Sequence, residues 1–220
     1  MEKILKNITF ANMRSCGKSS LARLLAEKLK TSILNFDTER DSEHYNTIHT
    51  INIKPNKSIT RDNRGLILSD ETVEQIISSK SGYLICDLGG YFDKRVIEIE
   101  SDYYIIPSFH DYESMRESMR TANYILKYQP RAKIIFILNG AFIRNADDKE
   151  KYIANWQEQI DINGLSRFLN LYLPYSKLMT KLVDEEVTRD KAKTKDGAKI
   201  RYDNIDNLIN QIVEHIGKGD

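Results

Sequence analysis

The chain has 220 residues, of which 40% are hydrophobic and 30% are charged. This composition suits one sizeable folded domain, which we expect to span residues 1–220, and it excludes a chain that is disordered along its length. The formal net charge of +1 excludes a protein that is basic over its whole surface, although a local basic patch remains open.

The cysteines and the N-terminal sequence indicate the cellular compartment of the protein. Cys16 and Cys86 do not have the spacing of a disulfide framework or a metal site. The N-terminus lacks the apolar core of a signal peptide, and no apolar run approaches the roughly 20 residues that span a bilayer. We therefore expect a soluble cytoplasmic protein with free thiols.

Apolar runs alternate with amphipathic helical patterns along the chain. Strands are predicted at residues 6–12, 31–36, 49–54, 82–90, 102–108 and 132–140, and a last strand and turn at 169–176. Helices are predicted at residues 19–29, 69–79, 113–128, 147–170 and 204–216. Residues 38–65 are polar and poorly periodic, so we expect a long loop that contains only the short strand at 49–54. This order predicts an α/β fold with a doubly wound, mostly parallel sheet and helices on both faces, of the P-loop NTPase type.

Residues 12–19, Asn-Met-Arg-Ser-Cys-Gly-Lys-Ser, lie between the first predicted strand and the first predicted helix. A phosphate-binding loop needs inward backbone N–H groups, a helix N-terminus, a lysine for the outer phosphates and a hydroxyl for Mg²⁺. Gly17, Lys18 and Ser19 supply the last three in register. The usual pattern has glycine where this chain has Asn12, and we expect asparagine to serve there because it tolerates positive φ. The alternative is an ordinary helix start.

Two aspartates follow predicted strands. Asp37 and Asp87 each lie just past an apolar run, where open α/β sheets bind their ligands. Carboxylates at neighbouring strand ends can orient Mg²⁺ and an attacking water. Each aspartate alone could instead cap a loop, but the pair favours a catalytic site.

Taken in order, several segments resemble the ParA/MinD family of deviant Walker ATPases over about residues 4–215. They are CGKSS (16–20), LNFDTER (34–40), YLICDLGG (83–90), DYYIIPS (102–108), IFILNG (135–140) and LPYSKLM (173–179). The resemblance implies that the nucleotide phosphates are held by the loop and first helical turn, at Arg14, Ser15, Cys16, Gly17, Lys18, Ser19 and Ser20. It implies Mg²⁺ at Ser19, Asp37 and Asp87, and catalysis by Lys18 with the two aspartates. It also implies that Asn139 contacts the adenine and that Pro174 lies in the turn that closes over the base.

The chain departs from the family pattern within the loop. The family sequence KGGxGK[ST] would place its signature lysine at Met13 and its two glycines at Arg14 and Ser15. In that family the lysine reaches across a nucleotide-sandwiched dimer to the partner's phosphates. Arg14 could supply a substitute cation, or it could be a solvated loop residue. The family motif DxDP is also degraded, because residues 35–38 read Asn-Phe-Asp-Thr. We therefore expect nucleotide binding with slow hydrolysis.

The stretch from Thr188 to Arg201 is strongly basic. Its cations are Arg189, Lys191, Lys193, Lys195, Lys199 and Arg201, against two acids, Asp190 and Asp196. Such a stretch can neutralise phosphates without reading a base sequence, or it can be a solvated surface loop. Because partition ATPases bind DNA through C-terminal basic residues, the resemblance favours non-specific DNA.

The last predicted helix, residues 204–216, has one apolar face. That face is formed by Ile205, Leu208, Ile209, Ile212, Val213 and Ile216. It could pack on the core or lie on a membrane surface, as in MinD-like proteins. The polar face has no lysine or arginine before Lys218, so anionic lipids would gain little from it, and core packing is favoured.

The resemblance implies a ParA-like ATPase that binds ATP and Mg²⁺ and forms an ATP-dependent homodimer. It would segregate or position DNA with an adaptor or centromere-binding protein that stimulates hydrolysis. Three alternatives stay open: a small-molecule kinase or ligase with a pocket near Asp37 and Asp87, a MinD-like protein at a membrane, and a nucleotide-binding scaffold that hardly hydrolyses.

Overall fold

The computed structural model describes residues 5–12, 16–36, 50–52, 59–62, 65–68, 73–74, 76, 81–89, 99–140, 143, 145–174 and 198–218. The strands are β1 (Lys6–Phe10), β2 (Ile33–Asn35), β3 (Thr50–Asn52), β4 (Ile59–Asp62), β5 (Gly65–Leu68), β6 (Tyr83–Asp87), β7 (Tyr103–Ser108), β8 (Lys133–Asn139) and β9 (Leu169–Leu173). The helices are α1 (Lys18–Leu29), α2 (Tyr112–Tyr128), α3 (Ala146–Ile162) and α4 (Ala198–Gly217).

Seven strands form one sheet in the order β3-β2-β6-β1-β7-β8-β9, and all neighbouring pairs in it are parallel. The predicted α/β class with a parallel sheet is confirmed. Strand β1 lies between β6 and β7 in this sheet. Open sheets of this kind bind ligands beside the carboxyl ends of such central strands.

Two apolar clusters cover the two faces of the sheet. One contains α1 and α4 packed on Ile8 and Phe10 of β1 and on alternate residues of β6 and β8. The other contains α2 and α3, and in it the ring of Trp156 packs edge-on against Phe136. Successive residues of β8 belong to different clusters, which explains why this strand is apolar at nearly every position.

The apolar face predicted at residues 204–216 belongs to α4. Ile205, Leu208, Ile209, Ile212 and Ile216 are buried in the first cluster, and Val213 packs against it. The core-packing interpretation of this helix is therefore confirmed. Among the described residues, no helix combines the length and the apolarity that crossing a bilayer requires.

In the described part of the chain three elements differ from the prediction, and one of them is the last helix, α4, which begins at Ala198 rather than at residue 204. Strand β4 lies inside the segment 38–65 that was expected to be a loop, and it pairs in antiparallel fashion with β5, which begins at the last residue of that segment. The strand Ile-Thr-Arg-Asp (59–62) is too polar for its alternation to be recognised. Helix α3 ends at Ile162 rather than at residue 170, because Gly164 adopts a left-handed φ of +69° after the cap residue Asn163.

Candidate functional site

Helix α1 begins directly after Gly17, which has φ +84°. This left-handed conformation is readily adopted by glycine and is strained for other residues. The carbonyl of Gly17 accepts the first helical hydrogen bond, from the backbone N–H of Leu21 at 3.1 Å. The local geometry thus explains why glycine precedes Lys18.

Lys18 is the first residue of α1 and only 5% exposed. Lysine is rarely buried to this degree without an anionic or hydrogen-bonding partner. The helix start is also electropositive, because Gly17 has no side chain to cap it and the first turn contains no acid. A buried lysine and a helix N-terminus without a side-chain cap together provide what a phosphate group requires. Ser19 and Ser20 follow in the same turn and are half-buried.

Asp87 is the last residue of β6 and is 5% exposed. In the sheet it pairs with Phe10 of β1 on one side and with Asn35 of β2 on the other. Asp87 therefore lies next to the end of β1, the strand that leads into the loop. The other predicted carboxylate, Asp37, lies outside the described residues, so the pair is placed only in part.

Asn12 does not act as the sequence suggested. Among the described non-glycine residues, only Lys30 has a positive φ, so Asn12 does not use the tolerance of positive φ on which its place in the loop was expected to depend. Asn12 is instead 4% exposed, and its side-chain Nδ2 donates to the carbonyl of Pro107 and to Ser118 Oγ at 2.9 Å. Hydrogen bonds rather than backbone freedom hold this end of the loop.

The thiol of Cys16 is buried within the protein. Its Sγ lies 3.6 Å from Asn12 Nδ2 and 3.9 Å from Ser114 Oγ. Burial is the main cause that raises its pKa above the usual value, so the thiol stays protonated at neutral pH. Any contact that Cys16 makes to a phosphate would therefore come from its backbone.

Asn139 is the last residue of β8, and its side chain contacts the loop. It is 3% exposed, and its Nδ2 donates to the carbonyl of Cys16 at 3.1 Å. The same nitrogen lies 2.9 Å from the position that a Cβ on Gly17 would take. Asn139 thus lies against the loop.

Pro174 lies just after β9, the strand that pairs with β8. It directly follows Leu173, whose carbonyl accepts from the N–H of Gly140 at 2.8 Å. The ring of Tyr172 fills the space beside Gly140, with Oη 2.3 Å from the position of an added Cβ. Asn139, Gly140, Tyr172 and Pro174 therefore lie along the ends of two neighbouring strands.

The remaining predicted site residues are described only in part. Met13, Arg14, Ser15, Asp37, Arg189, Lys191, Lys193 and Lys195 lie outside the described residues. Lys199 and Arg201 belong to the first turns of α4, which begins at Ala198, so the end of the basic stretch is helical rather than a loop. Within the described part of the chain, no three His, Cys, Asp or Glu side chains lie close enough together to hold a metal ion.

Sequence reasoning missed Ser114, Ser118 and Tyr172 as neighbours of this site. Each reaches it from an element distant in the chain, and no local motif marks any of them. Ser118, for example, is 106 residues from Asn12.

Comparison with known proteins identifies the fold. No protein-family model and no curated protein matches the sequence. The structure is similar to a chain of the MinC:MinD cell division protein complex of Aquifex aeolicus, with a TM-score of 0.58 and 16% identity over 93% of this chain and 96% of that one. It is similar to a plasmid partition protein of Borrelia burgdorferi B31 bound to AMPPNP, with a TM-score of 0.53 and 19% identity over 94% and 99%. It is also similar to pNOB8 ParA bound to nonspecific DNA, with a TM-score of 0.52 and 14% identity over 94% and 99%. The chain therefore has the fold of the ParA and MinD ATPases, as the sequence motifs predicted.

Proposed function

We propose that the chain is a single-domain ATPase of the ParA/MinD type, which binds ATP with Mg²⁺ and uses it as a dimerisation switch in DNA partition or positioning. The observation that carries this proposal is the buried Lys18, which follows a left-handed Gly17 at the uncapped start of α1. This arrangement follows the carboxyl end of β1 in the chain, and Phe10 at that end of the strand pairs with Asp87. We propose that the positive charge of Lys18 and the carboxylate of Asp87 together serve a phosphate chain and its metal ion.

The proteins of similar fold support the choice of ligand and role. One is bound to AMPPNP, an ATP analogue, one is bound to nonspecific DNA, and one is part of a MinC:MinD complex. By extension we propose an ATP-dependent homodimer that binds DNA without sequence preference and works with an adaptor protein. Since ATP and chromosomal or plasmid DNA meet in the cytoplasm, we place the protein there. The buried face of α4 argues against a membrane-surface helix at residues 204–216.

Each residue has a proposed role. Lys18 would neutralise the outer phosphates, Ser19, Asp37 and Asp87 would hold Mg²⁺, and the two aspartates would orient the attacking water. Asn139 and Pro174 border the base. When bound, Mg²⁺ would neutralise charge on the phosphates. The chain's own residues would position those phosphates and exclude water.

Hydrolysis is proposed to be slow, because Met13 stands where the family has its trans-acting lysine. A cation supplied to the transition state of phosphoryl transfer is worth roughly 10³–10⁵ in rate. If Arg14 supplies that charge, Arg14→Ala should lower phosphate release further and weaken ATP-dependent dimerisation in sedimentation. An identical dimer in both proteins would reject the substitution of Arg14 for the lysine. Tight binding with negligible phosphate release in the unaltered protein would favour the scaffold alternative.

The site assignment is tested by replacing Lys18 with alanine and measuring the affinity for a fluorescent ATP analogue with Mg²⁺. Lys28→Ala, an exposed position on the same helix, is the matched control. Binding should be lost in Lys18→Ala and unchanged in Lys28→Ala, with circular dichroism showing both proteins folded. Equal affinity in the two variants would overturn the assignment.

DNA binding is proposed for the basic stretch from Arg189 to Arg201. Replacing Lys191, Lys193 and Lys195 with alanine should weaken binding to unrelated duplexes equally. It should also flatten the salt dependence by roughly 0.9 in logarithmic slope for each lost phosphate contact. Because a dimer offers twice the contacts of a monomer, the unaltered protein should bind tightly only with ATP.

A charge-matched control separates local contacts from net charge. It replaces three exposed lysines on the helices, Lys28, Lys127 and Lys151. This control should keep the salt dependence of the unaltered protein. If the unaltered protein with ATP gives no salt-sensitive mobility shift at low ionic strength, DNA is not its partner.

A further inference from the structure

The start of the loop is anchored by a side chain. The parallel ladder between β1 and β7 continues to Ala11, whose N–H donates to the carbonyl of Ile105 at 3.0 Å. The next acceptor on β7 is the carbonyl of Pro107. In a regular parallel ladder it would accept from the main-chain N–H two residues after Ala11. The side-chain Nδ2 of Asn12 donates to this buried carbonyl, which therefore has a hydrogen-bond partner at the start of the loop.

The same amide joins the loop to α2. An amide nitrogen has two hydrogens, and the oxygens of Pro107 and Ser118 are better acceptors than the Cys16 sulfur at 3.6 Å. Ser118 Oγ in turn donates to the carbonyl of Ser114 at 2.8 Å. The hydroxyl of Ser114 donates to Asp111, the residue that caps α2, at 2.6 Å.

The far end of the loop meets the same helix. Cys16 Sγ lies 3.9 Å from Ser114 Oγ, so residues 12 and 16 both contact the first two turns of α2. A chain of polar contacts thus runs from Asn12 through Ser118 and Ser114 to Asp111. All members between the loop and Ser114 are buried.

We propose that Asn12 is a positioning residue, which uses its side-chain amide to hold the loop in the shape that receives phosphate. This inference rests on the proposed function, because it assumes that the loop binds a nucleotide. The usual glycine at this position supplies backbone freedom, whereas Asn12 supplies hydrogen bonds from a backbone without positive φ. Restoring glycine should therefore damage the loop rather than improve it.

The test compares Asn12→Gly, Asn12→Asp and Ser118→Ala with the unaltered protein, using the fluorescent ATP analogue with Mg²⁺. Asn12→Gly removes the donor, and Asn12→Asp replaces it with a carboxylate that cannot donate. Both should lower the affinity by about tenfold or more, since a buried acceptor loses its partner. Ser118→Ala removes one acceptor of two and should have a smaller effect. Asn123→Ala, at an exposed asparagine of α2, should have none.

Amide hydrogen exchange without nucleotide supplies a second readout, which general instability would not reproduce. In Asn12→Gly the exchange of residues 16–20 and of the first turns of α2 should accelerate, while that of α3 stays unchanged. Acceleration everywhere, or nowhere, would overturn the inference.

The two proposals fail in different ways. If the unaltered protein binds the analogue and Asn12→Gly binds it equally well, the inference is wrong and the proposed function stands. If the unaltered protein does not bind, the proposed function is wrong, and hydrogen exchange still decides whether Asn12 holds the loop.

Discussion

Replacing Gly17 with alanine should both strain the backbone and displace a buried amide. The φ of +84° belongs to the left-handed region, which costs a residue with a Cβ about 1–2 kcal/mol. In addition, the new Cβ would lie 2.9 Å from Asn139 Nδ2, which is closer than such atoms approach each other. Asn139 would have to move, and its hydrogen bond to the carbonyl of Cys16 would be lost.

Gly164 provides a matched control for the strain alone. It has φ +69°, and an added Cβ there would meet nothing within 4 Å. Both substitutions introduce the same backbone strain of the left-handed conformation. Both also stabilise the protein by about 0.4–1 kcal/mol, because alanine lowers the conformational entropy of the unfolded chain. They differ by the displaced amide, and a buried group that loses its partner costs about 1–3 kcal/mol. We therefore expect Gly17→Ala to be less stable than Gly164→Ala by about 1–3 kcal/mol.

Urea unfolding followed by circular dichroism measures this difference, provided the slopes of the two transitions agree. Adding Asn139→Ala to Gly17→Ala should cost less than Asn139→Ala alone, because the hydrogen bond is already broken. Binding of the ATP analogue should fall in Gly17→Ala and persist in Gly164→Ala. Equal unfolding free energies for the two single variants would refute the contact with Asn139.

Three further predictions concern stability. Burial raises the pKa of the Cys86 thiol to about 12, so the folded state holds this proton more tightly than the unfolded state. Between pH 9 and 12 this thiol should therefore lower the free energy of unfolding by about 1.4 kcal/mol for each pH unit. Urea unfolding measured over this pH range should show a smaller decrease in the free energy of unfolding for Cys86→Ala than for the unaltered protein. Trp156→Phe removes the donor to Asn170 Oδ1 at 2.6 Å and should cost about 1–3 kcal/mol, with little added by Asn170→Ala in the double variant. Gly140→Ala should lower the melting temperature, because its Cβ would lie 2.3 Å from Tyr172 Oη, and Tyr172→Ala should relieve that clash.

The sheet was predictable because its strands are buried on both faces. Residues 102–108 and 132–140 read as continuous apolar runs and contain β7 and β8. A parallel strand between two helical layers requires that pattern, so the run and the strand coincide. The hairpin of β4 and β5 belongs to a separate two-stranded sheet and has no such requirement. Its polar first strand could not be distinguished from a loop.

The site was predictable only where its chemistry is local. Gly17 and Lys18 are neighbours in the chain, and the left-handed backbone before α1 favours glycine at the first of these two positions. Asn139 was marked by its place at the end of an apolar strand, although its contact with Cys16 was not foreseen. The contact between Asn12 and Ser118 joins residues 106 positions apart, and such a pair leaves no local pattern.

The same distinction explains how the fold persists at 14–19% identity to proteins of known structure. A parallel sheet demands apolar residues of suitable size, and many sequences satisfy that demand. A phosphate loop demands a shape, and glycine is only one way to obtain it. A buried amide with two well-placed acceptors holds the backbone from outside, so the glycine can be lost while the loop remains. If that is correct, the missing glycine marks a different support for the loop, and variants that place the usual phosphate-loop glycine at Asn12 should bind nucleotide less well than the unaltered chain.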